Sequence, residues 1–247
     1  MIKILHIITG LSTGGAEMML YKLLSSQNEQ FESFVVSLSS DNKTAIANKI
    51  KNLGVNIYYL NLSRTSINAR FFSELKKILL QEQPDLIQGW MYHGNVGALL
   101  AGFLATKNAK VVWNIRHSLS DIKNEKFMTA WIIRLNAWLS SFPAKIIFNS
   151  SISAEQHERI GFNKIKTIMI PNGFDCDGFS PDENSRNSIR GQLGISATDI
   201  VIGMVARFHP MKGHLLFLEA ASQIVALHQA VKFIFIGKDV DKNPIIL

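Results

Sequence analysis

Cysteine is nearly absent: Cys176 stands alone among 247 residues, so no disulfide can form within the chain. No stretch approaches the roughly 18 uninterrupted apolar residues that a membrane-spanning helix needs. The opening segment, MIKILHIITG, is too short for a secretory leader and runs straight into a glycine-rich loop. These absences together predict a cytoplasmic protein. The spacings of a zinc site, of a G-x-G-x-x-G dinucleotide loop and of a Walker loop ending in G-K-[ST] are all missing. A nicotinamide-dependent oxidoreductase is therefore disfavoured. The net charge is +7 and the pI about 9.5, yet the basic residues are scattered rather than gathered into arms. Nucleic acid is not an expected partner; an anionic small molecule or an anionic membrane surface fits the charge as well.

What the chain has is alternation. With 47% hydrophobic residues there is enough material for a sizeable core. Apolar, β-branched runs at 2–8, 34–38, 55–60, 86–89, 110–115, 146–149 and 167–170 predict strands. Between them, helical spacing predicts helices over 16–26, 44–53, 67–83, 95–105, 127–140 and 153–160. Strand–helix alternation of this kind predicts an α/β fold, a doubly wound, Rossmann-like parallel sheet. Residues 171–188, rich in Asn, Asp, Ser, Gly and Pro, read as a linker between a first domain over 1–170 and a partial second domain over 189–247. In the latter, a short helix at 189–193 precedes strands at 200–205 and 231–236, which flank a helix at 214–228. The run IVIGMV predicts a strand buried on both faces.

Several residues fall where such a sheet does its chemistry. Arg207 and Lys212, in ARFHPMKG, lie between a strand end and a helix amino terminus, where helix dipole and free N–H groups favour an anion. Gly14 and Gly15 (TGLSTGG) occupy the corresponding turn after the first strand and allow backbone N–H groups to approach a phosphate. His93, Arg116 and His117 follow two other strands and are expected over the same carboxyl edge. Asp121 and Glu125 read as the solvated start of a helix, and Lys76, Lys77, Lys43, Lys49 and Lys51 as solvated helix faces. Phe127, Met128, Trp131, Ile132, Leu135, Trp138 and Leu139 read first as a core stripe, with a membrane-facing patch or acceptor groove as the minority reading. Cys176, in a polar linker, is not placed like a catalytic thiol.

Taken in order, GLSTGGAE, the histidine closing VVWNIRH, NSS at 149–151, PNGFD at 171–175 and ARFHPMKG resemble the motifs of group 1 (family 4) glycosyltransferases. The resemblance implies two Rossmann-like domains of the GT-B type and retaining transfer from a nucleotide-diphosphate sugar to a glycan or lipid-linked acceptor. Cell-surface polysaccharide or glycolipid synthesis would be the setting, without a metal or cofactor, and with peripheral contact to an anionic membrane. By the same resemblance Arg207 and Lys212, with Gly14 and Gly15, would hold the donor diphosphate. His117 would contact the transferred sugar near the reacting carbon. His93, Arg116, Asn172 and Gly173 would belong to the acceptor side or the hinge of the cleft. The family's E-x7-E glutamates and its closing carboxyl-terminal helix lie downstream of anything in the sequence. The chain is accordingly expected to be an inactive fragment; the alternative is a non-catalytic domain that binds a nucleotide or glycan.

Overall fold

In the computed structural model, which describes residues 1–40, 43–62, 69–228 and 230–241, the chain forms two compact units, Met1–Gly173 and Phe174–Leu247. The first holds seven parallel strands: β1 (Ile2–Ile8), β2 (Phe31–Ser37), β3 (Asn56–Tyr59), β4 (Leu86–Trp90), β5 (Lys110–Ile115), β6 (Lys145–Phe148) and β7 (Thr167–Met169). Between them run α1 (Gly15–Ser25), α2 (Ala45–Asn52), α3 (Ala69–Glu82), α4 (Met91–Leu104), α5 (Phe127–Leu139) and α6 (Ser151–Arg159). Two residues of the helix expected over 67–83, Ile67 and Asn68, lie outside the described residues.

The strands are apolar on both faces because helices cover both. Leu5, Ile7, Phe34 and Val36 enter one core, whereas Ile8 and Val35 enter the other, with Leu20, Leu24, Ile46 and Ile50 from α1 and α2. Helix starts are set locally. Thr44 accepts the Ala47 N–H at 3.1 Å and Ser150 accepts the Ser153 N–H at 3.2 Å, caps worth about 1 kcal/mol each. The small residues of α4 have a packing reason: a side chain at Gly94 would place its Cβ 2.4 Å from the Ile7 carbonyl oxygen. Strand order is β3-β2-β1-β4-β5-β6-β7, so the sheet reverses direction between β1 and β4. Open parallel sheets take their ligands above the strand carboxyl ends at such a reversal of strand order.

Two expectations about the first unit are corrected. Helix α4 starts at Met91, directly after β4, not at residue 95; Met91 makes the turn with φ of 60°, a left-handed conformation unusual for a side-chain-bearing residue. His93 consequently sits in a helical first turn rather than in a strand-end loop. The supposed core stripe of α5 is mostly outside. Ala130, Ile132, Ile133, Asn136 and Ala137 are buried and Leu135 and Leu139 half-buried, while Phe127, Met128, Trp131 (54% exposed) and Trp138 (77%) face solvent. The reason is geometric: 127, 131, 134 and 138 share one helical face, opposite the one that meets the sheet.

The second unit holds α7 (Glu183–Gln192), β8 (Ile200–Val205), α8 (His214–Leu227) and β9 (Val231–Ile236). Helix α7, capped by Asp182, takes the last six residues of the stretch expected to be linker and replaces the short helix expected at 189–193. Strands β8 and β9 pair in parallel, Ile200 opposite Val231 and Val205 opposite Ile236, and Phe217 of α8 packs edge-on against Phe233 and Phe235. Burial of β8 on both faces is not what is found: Ile200 is 60% and Val205 78% exposed. A two-stranded sheet with one crossover helix leaves much of its surface uncovered among the described residues.

Candidate active site

The first unit brings the ends of four strands into one polar network. After β4 comes Tyr92, after β5 come Arg116 and His117, after β6 comes the start of α6, and after β7 comes Asn172. Arg116 donates from Nε to Asn114 Oδ1 at 3.1 Å and from a terminal nitrogen to Asn172 Oδ1. Its guanidinium also lies over the Trp90 ring, 5.6 Å from the centroid, and burial lowers its pKa. Its fork is thus already engaged on the protein, joining β5 to Asn172, the residue before the last of this unit.

His117 is held at three points. Its Nδ1 lies 3.0 Å from Tyr92 Oη, its carbonyl accepts the Ser153 hydroxyl at 2.6 Å, and its Nε2 lies 3.6 Å from Glu125 Oε1. Tyr92 Oη in turn contacts His157 Nε2 at 2.7 Å, and His157 Nδ1 meets the Ser153 carbonyl at 2.7 Å. Burial raises the Tyr92 pKa and lowers that of His157 to about 4. The reading of Glu125 as a solvated helix start is therefore corrected: it faces His117, whereas Asp121 caps a 3-10 turn by accepting the Lys123 N–H at 2.9 Å. Sequence reasoning passed over Tyr92, Ser153 and His157. His157, two residues after Glu155, carried no signal until the fold placed it behind His117.

His93 is exposed, on the first turn of α4. Gly14 caps α1 in an extended conformation and Gly15 opens the helix, with open space around the position its Cβ would take. Glu17 folds its carboxylate over Gly14, and burial raises its pKa. Asn149, in the NSS motif, buries a side-chain oxygen with no partner among the described residues. Among those residues no group of three or more His, Cys, Asp or Glu side chains is placed to hold a metal ion.

On the second unit, Arg207 and Lys212 are both exposed and follow β8 at its carboxyl end. The loop between them tightens into a 3-10 turn over Pro210–Lys212, and Gly213 then caps α8 with φ of 71°, a left-handed value that a glycine takes without strain. No side chain caps this helix start, which follows directly on the loop that carries the two cations. His214, in the first turn, is buried against Phe208 and Phe235 with neither ring nitrogen partnered among the described residues.

Comparison with known proteins matches both units in order. The description Glycosyltransferase Family 4 covers residues 13–177, and Glycosyl transferases group 1 covers 185–246. The chain is 27% identical over 197 residues to the capsular polysaccharide biosynthesis glycosyltransferase CapH of Staphylococcus aureus, covering 75% of this chain and 52% of the relative. It is 25% identical over 231 residues to the UDP-Gal:alpha-D-GlcNAc-diphosphoundecaprenol alpha-1,3-galactosyltransferase of Escherichia coli, covering 91% and 58%. Among solved structures, Anabaena HepE in complex with UDP and glucose superposes with a TM-score of 0.76 at 21% identity, over 95% of this chain and 61% of that one. The chain thus spans little more than half the length of these relatives. A seven-stranded parallel sheet whose strand order switches between β1 and β4, followed by a second parallel βαβ unit, is the GT-B type of fold. With the family's first description covering well over half of the sequence, the chain belongs to glycosyltransferase family 4.

Proposed function

We propose that the protein is a retaining glycosyltransferase, transferring a hexose from a UDP-sugar to a glycan or lipid-linked acceptor in cell-surface polysaccharide or glycolipid synthesis. The observation that carries this reading is the pairing of exposed Arg207 and Lys212 with the uncapped amino terminus of α8, inside a matched family domain. Uridine as the base follows the names of the relatives: one structural neighbour holds UDP and glucose, and one relative uses UDP-Gal on a diphosphoundecaprenol acceptor.

In this reading the bond between the anomeric carbon and the diphosphate oxygen breaks, and negative charge grows on the leaving group. Arg207 offers a planar fork to two phosphate oxygens, Lys212 a mobile point charge and α8 its dipole, all in place before charge develops. Gly14 and Gly15 present the amino end of α1 to the phosphate or acceptor. His117 orients the sugar and helps stabilise the transition state, with His93, Arg116, Asn172 and Gly173 on the acceptor side or hinge. Isothermal titration with UDP-glucose, UDP-galactose and GDP-mannose, beside a product assay on the full-length protein, tests it. Transfer or donor hydrolysis is expected, with the product keeping the donor's anomeric configuration. Tight binding without either would favour a non-catalytic nucleotide- or glycan-binding domain.

His117→Ala is expected to lower transfer by about 10- to 100-fold and His93→Ala by less than about threefold, because His117 alone is built into a hydrogen-bonded network. Steady-state kinetics of the two variants decides it, and the reverse ranking would move the sugar contact to α4.

The site of action in this reading is the cytoplasmic face of a membrane, through peripheral contact with anionic lipid. Among the described residues no helix is long and apolar enough to cross a membrane. The outward face of α5 supports surface contact: Phe127, Trp131 and Trp138 are exposed on it, Phe103 and Phe142 form an exposed edge-on pair, and Lys123, Lys126 and Arg134 are exposed as well. Tryptophan rings favour the headgroup level, and each cation near an anionic surface contributes about 1 kcal/mol. Co-flotation with anionic liposomes at low salt is expected, weakened by Trp131→Ser with Trp138→Ser; a wild-type protein that stays at the bottom of the gradient removes the idea.

A further inference from the structure

The chain of contacts behind His117 constrains where its proton sits. It begins at a group that can only accept, the Ser153 carbonyl, 2.7 Å from His157 Nδ1. That nitrogen must therefore carry a hydrogen. His157 is fully buried among the rings of Phe148, Phe162 and Tyr92, with centroids 5.2, 5.1 and 5.9 Å away. A charged ring is disfavoured there, and burial holds the pKa at about 4. A neutral ring with hydrogen on Nδ1 has a bare lone pair on Nε2. Tyr92 Oη lies 2.7 Å from that lone pair, so the hydroxyl donates its only hydrogen to His157. Lone pairs alone then remain on Tyr92 Oη for its other neighbour, His117 Nδ1 at 3.0 Å. His117 must donate.

We propose that Tyr92 and His157 are positioning residues that set the tautomer of His117, keeping its hydrogen on Nδ1 and presenting Nε2 as an acceptor for a hydroxyl of the bound sugar. The proposal rests on the assignment of His117 to the sugar contact. Glu125 Oε1, 3.6 Å from Nε2, flanks the same spot with a second acceptor. The pair selects a ring position that carries a hydrogen-bond donor and disfavours a deoxy or O-methyl group there, since neither could satisfy it. Ser153 serves at both ends: its carbonyl orders His157, and its hydroxyl ties down the His117 carbonyl. A shift of α6 would therefore disturb the tautomer as well as the position.

The test is spectroscopic and uses the 247-residue chain with no donor or acceptor. Two-bond nitrogen–proton correlation spectra of 15N-histidine-labelled protein at pH 8 distinguish hydrogen on Nδ1 from hydrogen on Nε2, with His117→Ala assigning the signals. The wild type is expected to show both His117 and His157 hydrogenated on Nδ1. Tyr92→Phe removes the acceptor and should release His117 toward the Nε2–H form that free neutral histidine prefers. His157→Phe leaves the Tyr92 hydroxyl without its acceptor and should turn it to donate toward His117, with the same result by another route. If one variant fails to fold, the other answers the question. A wild-type His117 hydrogenated on Nε2 would overturn the proposal, and so would an unchanged tautomer in a folded variant. Because no substrate is involved, a failure of the glycosyltransferase reading would leave these spectra as they are. A failed tautomer, conversely, would leave the effect of His117→Ala on transfer to be judged separately.

Discussion

Folding stability is expected to drop by several kcal/mol as pH falls from 6.5 toward 4, driven by two buried histidines. His6, on β1, is fully buried; burial, opposed by a hydrogen bond with Gln88, lowers its pKa from 6.5 to about 4. Trp90 Nε1–H donates to His6 Nδ1 at 3.2 Å, so adding a proton to Nδ1 would set two donors against each other. His157 is likewise held at about 4, mainly by burial. Both folded pKa values lie below the unfolded value, so the unfolded chain binds more protons across this interval. The stabilisation is complete above about pH 6.5 and is lost progressively as the folded pKa is approached. A shift from 6.5 to about 4 corresponds to about 3 kcal/mol for each ring, a large part of a typical domain's 5–15 kcal/mol. Unfolding free energies from urea titrations, followed by circular dichroism between pH 7.5 and 5, should decline with a limiting slope of about 2.7 kcal/mol per pH unit, two protons' worth. His157→Gln should halve that slope. An unfolding free energy indifferent to pH over this range would mean that both rings charge freely in the folded state.

Arg207→Ala or Lys212→Ala is expected to lower sugar transfer by about 10²-fold or more, the scale of losing one preorganised charge donor. Both cations stand exposed beside a helix start whose N–H groups no side chain satisfies, an arrangement that favours a diphosphate. The loss should appear in kcat more than in KM, because charge on the diphosphate grows as the glycosidic bond breaks. Lys212→Arg keeps the charge and should recover part of the rate. Steady-state kinetics in the sugar-transferring protein, with UDP affinity measured alongside, tests the assignment. Near wild-type kcat and KM in both alanine variants would defeat it.

The parts of this protein readable in its sequence are those governed by short-range rules. Strands at 110–115, 200–205 and 231–236 were legible to the residue, because β-branched apolar runs bounded by turn residues have few other uses. Pro84 after α3 and Gly213 before α8 punctuate the chain through their own backbone preferences. The cation loop after β8 was legible for the same reason: strand, turn and helix start are neighbours in sequence, so the residues between them must lie at a sheet edge.

What the sequence did not disclose depends on contacts between distant residues. Phe127–Leu139 is apolar on nearly every side, so periodicity says helix without saying which face is inward; packing on the sheet chose Ile132, Ile133 and Ala137 and left two tryptophans outside. Met91 turns straight from β4 into α4, where Gly94 seats against the Ile7 carbonyl, and His93 lies on the exposed side of that first turn. Tyr92 meets His157 across 65 positions of chain and His117 across 25, so neither partner has a local signature. By itself the sequence determined the alternation of strands and helices, the edge on which the loops gather and the cations that sit there, since these follow from local propensity and the handedness of strand crossovers. The tertiary structure alone decided which ring faces which: hydrogen-bond direction is set by the fixed carbonyl and hydroxyl that the fold brings within 3 Å of each imidazole.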